Sequence, residues 1–337
     1  MTDQQSELDQ AACGPDERLA KAPETARDTL RPGCSPDPIA AGLDFLFSRR
    51  QHQSWGLSSL PGQESAWVTA YVLARLGEIP SHRITYSLRQ KIEKSLDWLQ
   101  QIRTPHGGWG FSSGTPDDAD STSWAVIALR QHGRLAPDRS LELIRSCRRG
   151  DGGFSILPGA THANEASRPS APDVTAIAVR ALAGIDAASS EFLASHLRTD
   201  IPGTPCRLAS AFFVSSTLLD WEPGMAPWLV VNAIRELTCQ QAGEGAWEQA
   251  LRLRCMMRLG MQSAWALAAD LRRLQQPDGS WPGSAAPVAV SSVSGQGTAP
   301  FADDQGVLAT VTSLSALAMG DLQPGLYFGS DLPFRRL

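Results

Sequence analysis

Residues 107–129 read GGWGFSSGTPDDADSTSWAVIAL. The stretch has three parts. Gly107-Gly108-Trp109-Gly110 is a turn, because glycine reaches backbone angles that other residues avoid. A polar spacer rich in Ser, Gly and Pro follows. From Asp118 to Leu129 the residues are small or aliphatic, in a run long enough for a helix. An Asp stands at its start, where a carboxylate can cap free backbone N–H groups. The run has no clear polar face, so this helix is expected to be buried on most sides.

The same plan recurs in both directions. Thr-centred segments stack at Trp67-Val68-Thr69-Ala70, Asp120-Ser121-Thr122-Ser123, Asp173-Val174-Thr175-Ala176 and Leu308-Ala309-Thr310-Val311. Each carries a Leu seven residues after the Thr: Leu76, Leu129, Leu182 and Leu317. Ahead of each lies an aromatic turn, at Ser54-Trp55-Gly56, Gly107-Gly108-Trp109-Gly110, Gly152-Gly153-Phe154 and Gly279-Ser280-Trp281. Ahead of each turn is a charged, amphipathic segment, at 38–50, 84–101, 137–147 and 262–276. Two further pairs fit less cleanly: 187–198 with 206–220, and 225–240 with 247–260, split by Gly245-Ala246-Trp247. The repeat predicts an all-α chain, a single α/α toroid or six helix-pair barrel. Inner helices would bury one another and outer helices would jacket them. The spacers at 155–171 and 282–303 are long and rich in Gly, Ser, Ala and Pro, so they are expected as loops at one mouth of the ring.

Residues 1–37 are rich in Pro and charge and poor in large apolar side chains, which predicts a disordered N-terminal tail. The toroid is expected over 38–325, with a C-terminal tail at 326–337. Net charge is −5 with no basic stripe, which argues against nucleic-acid binding. The six cysteines, at 13, 34, 147, 206, 239 and 255, form no C-x-x-C pair, and no zinc is expected. The opening MTDQQSELDQ has no apolar core of a signal peptide, and no apolar run has the length of a membrane span. A cytoplasmic location without a transmembrane segment is the expectation, with contact at a membrane surface left open.

Two turns match Q-x-x-x-G-x-W in full: Gln241-Ala242-Gly243-Glu244-Gly245-Ala246-Trp247 and Gln275-Gln276-Pro277-Asp278-Gly279-Ser280-Trp281. They resemble the QW motif of squalene–hopene cyclases and related class II terpene cyclases, in which Gln and Trp tie adjacent outer helices together. The turns at 106–110 and 151–154 look like degenerate copies, and Asp151–Gly159 also resembles a repeat of prenyltransferase β-subunits. Asp118-Ala119-Asp120-Ser121-Thr122 is similar to the D-x-D-D-T acid motif of class II cyclases, with Ser121 where that motif has its fourth residue, an Asp. The resemblance implies that Asp120 is the proton donor to an isoprenoid chain and Asp118 its neighbour. Such an acid has to stay neutral in an apolar, water-poor cavity, where desolvation and a nearby like charge hold the proton on. Aromatic faces then steady the carbocation. Trp109, Phe111, Trp124, Phe154, Phe212, Phe213 and Trp281 are the candidates for that lining.

Plainer readings stand beside these. Asp118, Asp120 and Asp173 all sit where helix caps belong. Trp109 and Trp281 could simply pack between helices. Asp303 and Asp304, at the end of the longest spacer, read as a solvated turn and a cap, or as a second carboxylate pair at the mouth. His162 reads as a surface loop residue. Mg2+ enters only if the substrate carries a diphosphate, and the residues otherwise call for no cofactor. The cyclases of the resemblance have two stacked toroids, whereas this chain has helices for one. The cavity would then lie within the ring, or a partner protein would supply a second helical domain. The alternative function is a non-catalytic accessory toroid that binds an apolar ligand or a partner. A prenyltransferase-like role is a further alternative, for which the mouth offers only Arg148 and Arg149 as candidates for diphosphate.

Overall fold

The computed structural model describes residues 37–57, 64–158, 169–198, 207–222, 229–231, 233, 245–283, 288–290, 299–301 and 303–321. They belong to the compact unit Cys34–Leu337. Of the expected N-terminal tail 1–37, residues 1–36 lie outside the described residues, as do the expected C-terminal tail 326–337, His162 and Gln241, whereas Asp37 is described and is the N-cap of the helix that starts at Pro38.

Among the described residues the helices are α1 (Pro38–Ser48), α2 (Ala66–Leu76), α3 (Tyr86–Gln101), α4 (Ala119–Gln131), α5 (Asp138–Ser146), α6 (Pro172–Leu182), α7 (Ala187–Arg198), α8 (Arg207–Trp221), α9 (Ala246–Arg258), α10 (Ser263–Arg273) and α11 (Val307–Asp321). Of the expected outer segment 225–240, residues 229–231 and 233 are described, and they are helical. A short antiparallel ribbon pairs β1 (Val288–Val290) with β2 (Ala299–Phe301), Val288 opposite Phe301. It stands within the spacer 282–303 that reads as loop, where the β-branched Val288 and Val290 favour extended backbone.

The inner helices close a ring. α2 packs on α4, α4 on α6, α6 on α8, α8 on α9, α9 on α11, and α11 back on α2. Outer helices fill the outside grooves: α3 lies against α2 and α4, α5 against α4 and α6, α7 against α6 and α8. α10 packs on α9, and α1 packs on α11. The two classes differ in composition as their positions require. Every residue of α2 from Ala66 to Leu76 is buried. In α3 burial is confined to Ile92, Ser95, Leu96, Trp98 and Leu99, the i, i+3, i+4, i+7 stripe of an amphipathic helix.

One polar contact explains the Thr in every unit. The Thr69 hydroxyl accepts from the Trp55 N–H at 3.0 Å, Thr122 from Trp109 at 3.1 Å, Thr175 from Phe154 at 2.8 Å and Thr310 from Trp281 at 3.0 Å. All four hydroxyls are fully buried, so each satisfies a backbone donor that water cannot reach. The turn aromatic then clamps the end of its own outer helix. Indole N–H groups of Trp55, Trp109 and Trp281 donate to the carbonyls of Leu46, Leu99 and Leu271 at 2.8, 2.7 and 2.7 Å. Gln275 closes the circle: its amide donates to Gly279 O in its own turn at 3.0 Å and to Pro38 O of α1 at 2.9 Å. Gly279, at φ +87°, shows why the turn needs glycine, since a Cβ there would stand 2.3 Å from Ala41 O in α1.

Candidate active site

The inner helices start together at one end of the ring, and the site is built there. Asp118 is the N-cap of α4: its carboxylate accepts from the Ser121 N–H at 2.7 Å and from the Ser121 hydroxyl at 2.8 Å. Burial pushes this carboxyl up to about 7, against the pull of those two hydrogen bonds.

Asp120, two residues further on, caps nothing. The Trp67 indole N–H donates to its Oδ2 at 2.7 Å, and the nearby Trp124 indole also favours its charged form. The Asp120 side chain is part-buried, at the end of the ring where the inner helices start. Burial first, then the like charges of Asp118 and Asp173, raise its pKa well above the ordinary carboxylate range. The indoles of Trp67 and Trp124 oppose that rise without overcoming it.

An aromatic layer floors this end of the ring. Trp67 stacks on Tyr71 with ring centroids 5.5 Å apart, and Phe111 lies 5.9 Å from Trp67. Tyr71 meets the edge of Trp124 at 4.8 Å, Trp124 meets Phe213 at 5.8 Å, and Phe213 meets Trp247 at 6.4 Å. The circuit closes where the Trp247 indole donates to the Tyr71 hydroxyl at 3.1 Å. Tyr71 in turn lies 2.7 Å from the Thr312 hydroxyl, which donates to Leu308 O. Below the layer, the Arg75 guanidinium sits 5.0 Å from the Tyr71 ring centre and 5.1 Å from that of Trp124.

The expected site residues therefore separate. Asp120, Trp124 and Phe111 come together, with Asp118 beside them as a cap. Trp109 and Trp281 are committed to clamping outer helices, and Phe154 holds the third turn through Thr175. Phe212 is buried outside the circuit, and its neighbour Phe213 supplies the ring. Asp173 stands in the first turn of α6, whose N-cap is Ala171; burial raises its carboxyl, and the first-turn amides of Val174 and Asp173 pull the other way. Asp303 is a cap: it accepts from Leu308 N at 3.2 Å and Ala309 N at 2.8 Å, and burial pushes it up to about 7. Asp304 is exposed, and its like charge adds to the rise of Asp303. Among the described residues no group of three His, Cys, Asp or Glu is placed to hold a metal ion. No helix among them is long and apolar enough to cross a membrane.

Trp67, Tyr71 and Trp247 are absent from the sequence-based list. A register count from the repeated Thr finds two of them. Trp67 stands two residues before Thr69, as Asp120 stands before Thr122, and Tyr71 stands two after, as Trp124 does. Trp247 departs from its motif, since it lies on inner helix α9 and bonds to Tyr71 rather than to an outer-helix carbonyl.

No family model matches the chain. A stretch of 111 residues is 32% identical to the drimenyl diphosphate synthase of Streptomyces showdoensis, covering 32% of this chain and 20% of that protein. Among solved structures, a protein from Actinoplanes aligns with a TM-score of 0.63 and 22% identity over 84% of this chain and 98% of its own. The type II terpene cyclase MstE from Scytonema, in a variant bound to its substrate geranylgeranyl dihydroxybenzoate, aligns with a TM-score of 0.66 and 18% identity over 83% of this chain and 95% of its own. The chain has the α/α toroid fold of type II terpene cyclases.

Proposed function

We propose that the chain is a terpene cyclase of the type II kind, in which Asp120 protonates a carbon–carbon double bond of an isoprenoid chain lying over the aromatic floor. The observation that carries this reading is the state of Asp120: free of capping duty, bonded by the Trp67 indole beside the aromatic layer, and raised well above the ordinary carboxylate range. Protonation of a trisubstituted alkene leaves a tertiary carbocation. Neighbouring double bonds attack it in turn, and loss of a proton ends the cascade, so no electrons are exchanged. The π-faces of Trp67, Phe111 and Trp124 are the nearest stabilisers of positive charge, a contact worth about 2 kcal/mol when desolvated.

The relatives support the class. The names of two of them hold an isoprenoid-derived diphosphate and a geranylgeranyl arene. The MstE chain is covered over 95% of its length by this one and holds its substrate, which supports a site within one ring of this extent. Mg2+ belongs to this reading only with a diphosphate substrate.

The test is to incubate purified protein with farnesyl diphosphate, geranylgeranyl diphosphate, geranylgeranyl dihydroxybenzoate and squalene, and to analyse the products. Cyclised product is expected with one of them, falling by about 10²-fold or more in Asp120→Asn. Product retained in Asp120→Asn would remove Asp120 as the donor. No product from any substrate, with binding of the apolar chain retained, would favour the non-catalytic ligand-binding toroid.

A further inference from the structure

Asp173 is not the N-cap of α6 and has no place in the chemistry above. Its location is specific nonetheless. It occupies the second residue of α6, as Asp120 does in α4, and the two helices are neighbours in the ring. Both Asp residues stand two positions before the Thr that anchors their unit, so the repeat sets them at one level of the wall. Both side chains are part-buried.

We propose that Asp173 is a positioning residue for the acid: Asp120 and Asp173 form a carboxyl pair that holds one proton, and Trp67 decides which oxygen carries it. Two neighbouring carboxyls resist ionising together, so the like charge of Asp173 adds to the burial that already favours the proton on Asp120. The Trp67 N–H occupies Oδ2 of Asp120 as a donor and can bond only to a lone pair, which leaves Oδ1 to carry the acidic hydrogen. The other charged neighbours are Asp118 on α4, tied to Ser121, and His196 on α7, which faces Asp173. A protonated His196 favours the charge on Asp173 and so the proton on Asp120.

The inference rests on Asp120 being the acid, and its tests separate the two. In Asp173→Asn the alkaline limb of the kcat profile should move to lower pH by about one unit, a tenfold loss of rate on the limb, while the acid plateau and KM stay within about threefold. Asp173→Glu should restore the limb. A limb that stays put, or a rate lost equally at every pH, overturns the proposal. Carboxyl-carbon NMR of the unmodified protein needs neither turnover nor a variant that folds. It should show Asp120 and Asp173 titrating together in two separated steps, and independent single steps for the two carboxyls would overturn the pair.

Discussion

At Asp120 two opposite pulls meet on one carboxyl. Burial and the carboxylates of Asp118 and Asp173 push the proton on, while the indoles of Trp67 and Trp124 stabilise the ionised form. A proton donor needs both, because an acid that is merely desolvated keeps its proton but gives it up poorly. This sets the sign for Trp67→Phe, which keeps an aromatic face and deletes the N–H donor. With one stabiliser of the anion gone, the pKa of Asp120 rises. The acid then remains protonated to higher pH and is weaker, so the alkaline limb should move up while the plateau rate falls by roughly tenfold. A pH–rate profile checks both parts, and a limb that moves down would contradict the assigned role of the indole. The direction is opposite to that expected for Asp173→Asn, so the two variants separate orientation from charge.

At the scale of the helix pair, the unit is held by the contact between the buried Thr and the turn amide. Thr310→Val keeps the shape of the side chain and leaves the Trp281 N–H buried without an acceptor. The expected loss is about 1–3 kcal/mol of stability by urea denaturation, with kcat unchanged, because Thr310 lies outside the site. A cost under about 0.5 kcal/mol would mean that the contact does not hold the unit together. That contact is also why the fold could be read from the chain. A Thr fixed to the same turn atom in four units leaves the same residue at the same spacing, and the buried runs after it lack a polar face. The site was legible at Asp118-Ala119-Asp120 and in the candidate rings Phe111, Trp124 and Phe213. The rest of the aromatic floor comes from α2 and α9: Trp67 and Tyr71 follow only from the register of the repeated Thr, and nothing local marks Trp247 as their neighbour. Trp109 and Trp281 sit in turns of the same composition as a binding loop, and only the direction of their N–H groups shows that they serve the frame.

Across the whole molecule, charge is sorted by helix direction. Trp67, Asp120 and Asp173, each in a first helical turn, share one end of the ring, so the inner helices run parallel. Their amino ends, each with about half a positive charge, gather Asp118, Asp120, Asp173 and Asp303. Their carboxyl ends gather Arg75, Arg180, Arg254 and Arg258 around Glu78 and Asp220. Burial outweighs the helix dipoles for the first group, since Asp118 and Asp303 rise to about 7 and Asp120 and Asp173 are also raised. A carboxyl raised in the folded state keeps a proton that the unfolded chain releases near pH 4, roughly the ordinary Asp value. Its stabilising contribution is therefore whole below that pH and is lost as pH climbs through the folded value. Glu78 acts in the other direction: Arg254 and Arg75 hold it well below the usual carboxylate range, so its contribution is lost only in stronger acid. Stability should accordingly peak on the acid side of neutrality and fall from about pH 5 to pH 8, read as a declining Tm. Asp303→Asn tests the cause, because Asn caps α11 as well as Asp does but does not titrate. Its Tm should decline less steeply over that range than that of the parent chain. Equal slopes would show that the buried carboxyl at the head of α11 takes no part in the pH dependence.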